Sequence, residues 1–233
     1  MKRSFLFIAA FLSVLPQAFA AAPLTGFPFM DESLAYSINW PSGLSLGEAH
    51  LNSKHTAAGW NFEFKVDAGV PGFVVKDSYS SESNADFCST EFVRDFSHGA
   101  RKGGEKESID RSHETVSRVT THDGGKSEFA VPDCLKDALT LLFYARRELG
   151  QGRVPPSQQI LFGGLYQMRL SYAGAQTIRV AEKPEQSDKV VCSLKGPSST
   201  VEFEIYFARD AARTPLLVKV PLSMGKFSME LVR

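Results

Sequence analysis

Trp60-Asn61-Phe62-Glu63-Phe64-Lys65-Val66 places apolar and polar side chains on strictly alternating positions. Successive side chains of a β-strand point to opposite faces, so this stretch reads as a strand with one buried and one wet face. Working back, Leu34, Tyr36, Ile38 and Trp40 alternate with Ala35, Ser37 and Asn39. Pro41-Ser42-Gly43 then turns the chain, and Leu44, Leu46, Ala49 and Leu51 form a partner strand with a bulge expected at Gly47. Working forward, Pro71-Gly72 marks a turn, and residues 74–83, 91–97, 107–110 and 115–121 read as further strands. Arg101-Lys102-Gly103-Gly104 reads as an exposed link. Residues 34–130 are therefore expected to form an antiparallel meander.

One helix interrupts it. Leu135, Ala138, Leu139, Leu142 and Phe143 share a helical face, with Lys136, Asp137, Arg147 and Glu148 opposite. Asp133 is the expected N-cap. Gly150 and Gly152 stop the helix, and Pro155-Pro156 prevents its return. Strands resume near Ile160 and continue to residue 232, with residues 183–188 read as a charged loop. The predicted fold is mostly β: a curved antiparallel sheet or open β-barrel with one amphipathic α-helix packed on its concave face.

The chain opens with Lys2 and Arg3, an apolar run from Phe5 to Leu15, and Ala18-Phe19-Ala20. This is the pattern of a secretory signal cleaved near Ala20, and the run is too short to span a bilayer. The expected organisation is a signal peptide over residues 1–20, a leader over 21–32 and a single β-rich domain over 33–233. The expected location is periplasmic or secreted, in soluble form, without a transmembrane segment in the mature chain. Loss of Lys2 and Arg3 leaves 24 basic against 26 acidic residues, a net charge of −2. That balance argues against nucleic-acid capture, which needs a basic face. In an oxidising compartment one disulfide is expected, between Cys88 and Cys134 at element edges. Cys192, in Val190-Val191-Cys192, reads as a small core residue.

Catalytic patterns are missing from the sequence. Gly43 and Gly47 flank Ser45 at the wrong spacing for a nucleophile elbow, and His50, His55, His98, His113 and His122 are scattered. Asp67, Asp77, Asp86 and Asp95 are expected on a solvated face. No metal-ligand spacing, dinucleotide fingerprint or P-loop occurs, so no metal or cofactor is expected. Aromatic content stands out, with 18 Phe, 6 Tyr and 2 Trp, many on alternating strand positions. They read either as core or as surplus lining of a concave groove.

The segment Pro132-Asp133-Cys134-Leu135-Lys136-Asp137-Ala138-Leu139-Thr140, running into Phe143-Tyr144-Ala145-Arg146, resembles the D-A-L-S…Y-x-x-R helix of the bacterial family called domain of unknown function 3108. Leu34 to Trp40, followed by Gly43 to Ala49, resembles that family's opening Y-x-V-x-W and G-x-A strands. Phe207-Ala208-Arg209-Asp210-Ala211-Ala212-Arg213-Thr214-Pro215 resembles its closing S-D-D-x-x-R-x-P segment, with Arg209 departing from the usual acidic or polar residue. The likeness spans residues 33–232 and implies an exported protein of the bacterial envelope. The architecture is also similar to the open barrels of periplasmic lipoprotein carriers.

Asp137 and Arg146, nine apart on the helix, are better placed to meet strands than each other, and Asp210 and Arg213 are the expected partners. This set reads as a clamp between helix and closing hairpin, or as a polar rim around a groove. The groove or clamp candidates are Trp40, Trp60, Phe62, Phe64, Asp137, Leu142, Phe143, Arg146, Asp210 and Arg213. The leading functional expectation is a non-enzymatic envelope protein that binds a lipid or other apolar small molecule. The alternatives are an assembly factor acting on an envelope protein partner, and a hydrolase of unrecognised type.

Overall fold

A computed structural model describes residues 31–232 apart from 71, 122, 198, 223 and 224. The signal and residues 21–30 of the leader lie outside the described residues. The last leader residue does not: Glu32 opens the first strand.

Eight strands follow one another as a meander: β1 (Glu32–Asn39), β2 (Ser45–Thr56), β3 (Gly59–Val70), β4 (Phe73–Asn84), β5 (Ser89–His98), β6 (Arg101–Asp110), β7 (Thr115–Thr120) and β8 (Lys126–Ala130). The two-residue β9 (Lys136–Asp137) leads into α1 (Ala138–Gly150). A second meander returns through β10 (Gln158–Leu161), β11 (Leu165–Val180), β12 (Lys183–Lys195), β13 (Thr200–Ala208), β14 (Pro215–Leu222) and β15 (Gly225–Leu231). All fifteen form one sheet, in which β1 pairs with β15 and the edges are β8 and β9. The sheet is curved but not closed. Its first and last strands meet in the middle, and its two edges are consecutive in the chain.

The meander corrects two sequence expectations. Residues 101–104 are not a link but the start of β6, where Gly103 leaves room for the Phe96 ring packed across it. Residues 183–188 are not a loop but part of β12, paired with β11 and β13. In both cases cross-strand pairing overrides the polar composition. Near Gly47 the β1–β2 register shifts, as expected of a bulge.

The helix also starts later than expected. Ser89 N donates to the Leu135 carbonyl, and β9 pairs with β10, so residues 135–137 stay extended. The N-cap is Asp137, whose carboxylate accepts from Leu139 N and Thr140 N. Asp133 is exposed and pairs instead with Arg111 at 3.0 Å. The buried surface of α1 is wider than the expected stripe. Leu139 and Phe143 join the β1–β8 half, while Leu141 and Leu149 pack with Ile160, Met168, Val190 and Phe207 of the other half. Leu142 is only half-buried between the two clusters. Lys136 is buried against the Tyr144 ring rather than exposed. A helix gripped from both sides needs apolar residues almost all round.

Candidate functional site

The space beneath the helix is filled. Phe62 and Phe143 stack with ring centroids 4.1 Å apart. Phe87 stacks on both Trp60 (5.9 Å) and Phe62 (6.2 Å). Trp60, Phe62 and Phe143 are at most 2 % exposed. These groove candidates are therefore core. Trp40 is not with them: it lies at the end of β1, edge-on to Phe227 at 4.7 Å. Phe64 is half-buried further along β3 and stacks on Tyr79 at 6.1 Å.

Asp137 is fully buried and its carboxylate is fully used. Beyond the two helix amides it accepts from Ser81 (2.5 Å), Ser89 (2.6 Å) and Thr140 (2.8 Å). Burial pushes its pKa up, and these hydrogen bonds oppose the rise. Arg146, 0 % exposed, makes a two-pronged ion pair with Glu32 at 2.6 and 2.9 Å. It also donates to the Ala212 carbonyl at 3.0 Å.

Arg146 thus touches the closing hairpin at the Ala212 carbonyl, and neither Asp210 nor Arg213 pairs with a helix side chain among the contacts seen. Asp210 caps its own turn through Thr214 N and Oγ1. Arg213 reaches Asp188 of β12 at 2.7 Å. The physical reason is topology. The β1–β15 pairing brings the start of the sheet to the helix, so Glu32 takes the place foreseen for Asp210.

A second polar centre lies outside the expected candidates. On β5, β6 and β7, Arg94, Glu105, Glu107 and Arg118 share the concave face. Glu105 is buried between Arg94 (3.1 Å) and Arg118 (3.2 Å). Glu107 is 0 % exposed and neither of its oxygens receives a well-formed hydrogen bond. Burial, followed by the charge of Glu105, pushes its pKa up to about 7. Phe162 and Gly163, between β10 and β11, lie across this group. Arg118 donates to the Gly163 carbonyl at 3.0 Å, and the Arg94 guanidinium sits 5.5 Å from the Phe162 ring centre. Gly163 has φ +67°, and a Cβ there would overlap the Glu105 carboxylate.

Beside it, Asp77 accepts from the Tyr79 hydroxyl at 3.2 Å and contacts His98 Nε2 at 2.7 Å. Asp77 therefore leaves the solvated face on which sequence placed it with Asp67, Asp86 and Asp95; those three are exposed. Burial raises the Tyr79 pKa, with Asp77 adding to the rise. The signal that was available is the spacing of Glu105 and Glu107. Two carboxylates two apart in a strand face the same side.

This polar centre borders a concave wall on the side away from Phe62 and Ser81, where the helix sits. Ile38, Phe64, Val66, Val218, Phe203 and Met229 line it, all half-buried and packed against the two core clusters. The register joins the two halves of the wall: Val218 faces Met229, and Met229 faces Ile38. The expected Cys88–Cys134 disulfide is present, and Cys192 is buried. No helix among the described residues is long and apolar enough to cross a membrane.

Residues 35–232 match the family described as "Protein of unknown function (DUF3108)". No curated protein matches the chain. Among solved structures, the chain is similar to a β-barrel-like protein of domain of unknown function DUF1849 from Brucella abortus. That likeness has 7 % identity and a TM-score of 0.64, and covers 88 % of this chain and 97 % of the other. At that identity the likeness shows the fold alone.

Proposed function

The chain belongs to the DUF3108 family, and we propose that it is an exported, non-enzymatic protein that takes a lipid-like ligand into the mouth of its curved sheet, opposite the helix. The observation that carries this reading is the wall of Ile38, Phe64, Val66, Phe203, Val218 and Met229. These side chains face inward yet stay half-buried, while the inward residues beneath the helix are fully covered. Apolar surface held concave and partly wet is what an acyl chain fills. Arg94, His98 and Asp77 at its edge suit a polar head group.

The non-enzymatic part rests on the chemistry of the polar groups. The Asp77–His98 pair has the Tyr79 phenol as its third member, and burial makes that phenol a poorer source of a nucleophilic oxygen. Export is supported by the Cys88–Cys134 bond, since disulfides persist in oxidising compartments.

The test is titration of the purified mature protein with N-phenyl-1-naphthylamine, which fluoresces in apolar surroundings. Saturable binding at one probe per chain is expected. Val66→Arg should abolish it while leaving the melting curve near that of the parent. Absence of binding, or binding indifferent to Val66→Arg and Met229→Arg, would overturn the reading.

A further inference from the structure

Alternate turns of an antiparallel meander lie at the same end of the sheet. The turns β1–β2, β3–β4, β5–β6 and β14–β15 thus share one end, the end of the mouth, and direct contacts join them. Phe73 lies against Gly99, Gly225 lies against Pro41, and Trp40 packs on Phe227. This end displays large apolar side chains in water. Leu44 is 65 % exposed, Phe73 and Val74 49 % each, and Val70 40 %. Core packing does not explain them, and four such residues on neighbouring tips form a ledge rather than scattered exceptions.

Charge is distributed to match. Exposed Arg101, Lys102, Lys126, Lys195 and Lys226 stand in or beside the turns of this end. Asp123 caps its own turn there through Thr120 and Gly125. The opposite end carries exposed Asp86, Asp110, Glu114, Asp133, Glu182 and Asp210, interleaved with Arg111, Lys183 and Arg209. The chain as a whole has no excess of positive charge, so the cationic character belongs to one end.

We propose that this end is a membrane-docking surface: Leu44, Val70, Phe73 and Val74 enter the interface of an anionic bilayer while the surrounding lysines and arginine meet its head groups. Apolar tips ringed by cations are complementary to such a surface in both respects, burial and charge. Docking there sets the mouth of the sheet against the lipid. It rests on the exposed tips and not on a bound ligand: Val70 and Phe73, in register with Val66, stand at the rim of the same face, and Val74 faces the other side.

The test uses the full mature chain and vesicles of phosphatidylcholine, with and without phosphatidylglycerol. Co-flotation with the phosphatidylglycerol vesicles alone is expected, weakened by added salt. Paired Lys102→Gln and Lys226→Gln substitutions should lower the affinity roughly thirtyfold, and Leu44→Glu with Phe73→Glu should abolish it. A fluorophore on Leu44→Cys should shift to the blue on binding, while one on Asp110→Cys should not. The proposal fails if no vesicle is bound, or if binding ignores the Leu44 and Phe73 changes. It also fails if this end captures a protein partner while leaving vesicles alone.

Discussion

Phe162 stacks on Tyr79 with ring centroids 5.7 Å apart, though one lies at the turn between β10 and β11 and the other in the middle of β4. This contact straps the two halves of an open sheet across their gap. Its neighbours Arg94 and Arg118 hold the strap from below. Replacing Phe162 by Ala removes the ring but leaves the ion pairs. A loss of about 2 kcal/mol in urea unfolding is expected, since the side chain is half-buried. Faster amide exchange in β6 and β7 should accompany it.

Gly163→Ala should be worse than its size suggests. The backbone there is left-handed, and the new methyl would press on Glu105. We expect a loss of about 2 kcal/mol or more by urea unfolding, and partial rescue by Glu105→Ala in the same chain.

The Arg146–Glu32 pair should behave as a buried unit. Glu32→Ala leaves the guanidinium buried without its carboxylate and should cost about 3–5 kcal/mol. Arg146→Met combined with Glu32→Leu should recover most of that loss. A double-mutant cycle by chemical denaturation measures the coupling.

Glu107 makes stability depend on pH. Its pKa rises from the ordinary 4.5 to about 7 in the fold, so the folded chain holds a proton that the unfolded chain has released between those values. The stabilisation is complete below about pH 4.5 and is lost as pH rises through about 7, up to roughly 3 kcal/mol. Glu107→Gln should flatten the stability profile over that window and make the protein more stable than the parent above about pH 8. Unfolding curves at a series of pH values would show either result.

Cys88–Cys134 closes a loop with a sequence separation of 46, for which chain entropy predicts about 4 kcal/mol of stabilisation. The paired change to serine should lower stability by up to that amount. It should also loosen the Ser89–Asp137 contact next to it, seen as faster exchange at the helix N-terminus.

Much of the fold was legible in the chain. The alternation through Trp60 to Val66 is a local pattern with a local cause, and it located β3 to within a few residues. The helix was found from its 3.6-residue stripe, but its cap was misplaced. Leu135 and Lys136 are extended only because β5 and β10 hold them. The polar site was least legible. Arg94, Glu105, Arg118 and Phe162 are spread over four elements, and none is marked by spacing to another. Glu32 lay in what read as leader.

By itself the sequence determined that the chain is a meander of strands around one helix, because periodicity of two and of 3.6 is written residue by residue. The pairing of Cys88 with Cys134 was readable there too. Only the tertiary structure decided which aromatics are core and which side of the sheet stays open. It also decided that Arg146 is answered by Glu32 and that Asp77 turns inward. The Glu32 contact depends on the β1–β15 pairing, which brings together residues more than a hundred positions apart, and the strap at Phe162 joins the two halves across the gap of the sheet. Such contacts are settled by the total burial of the folded chain, and no local pattern encodes them.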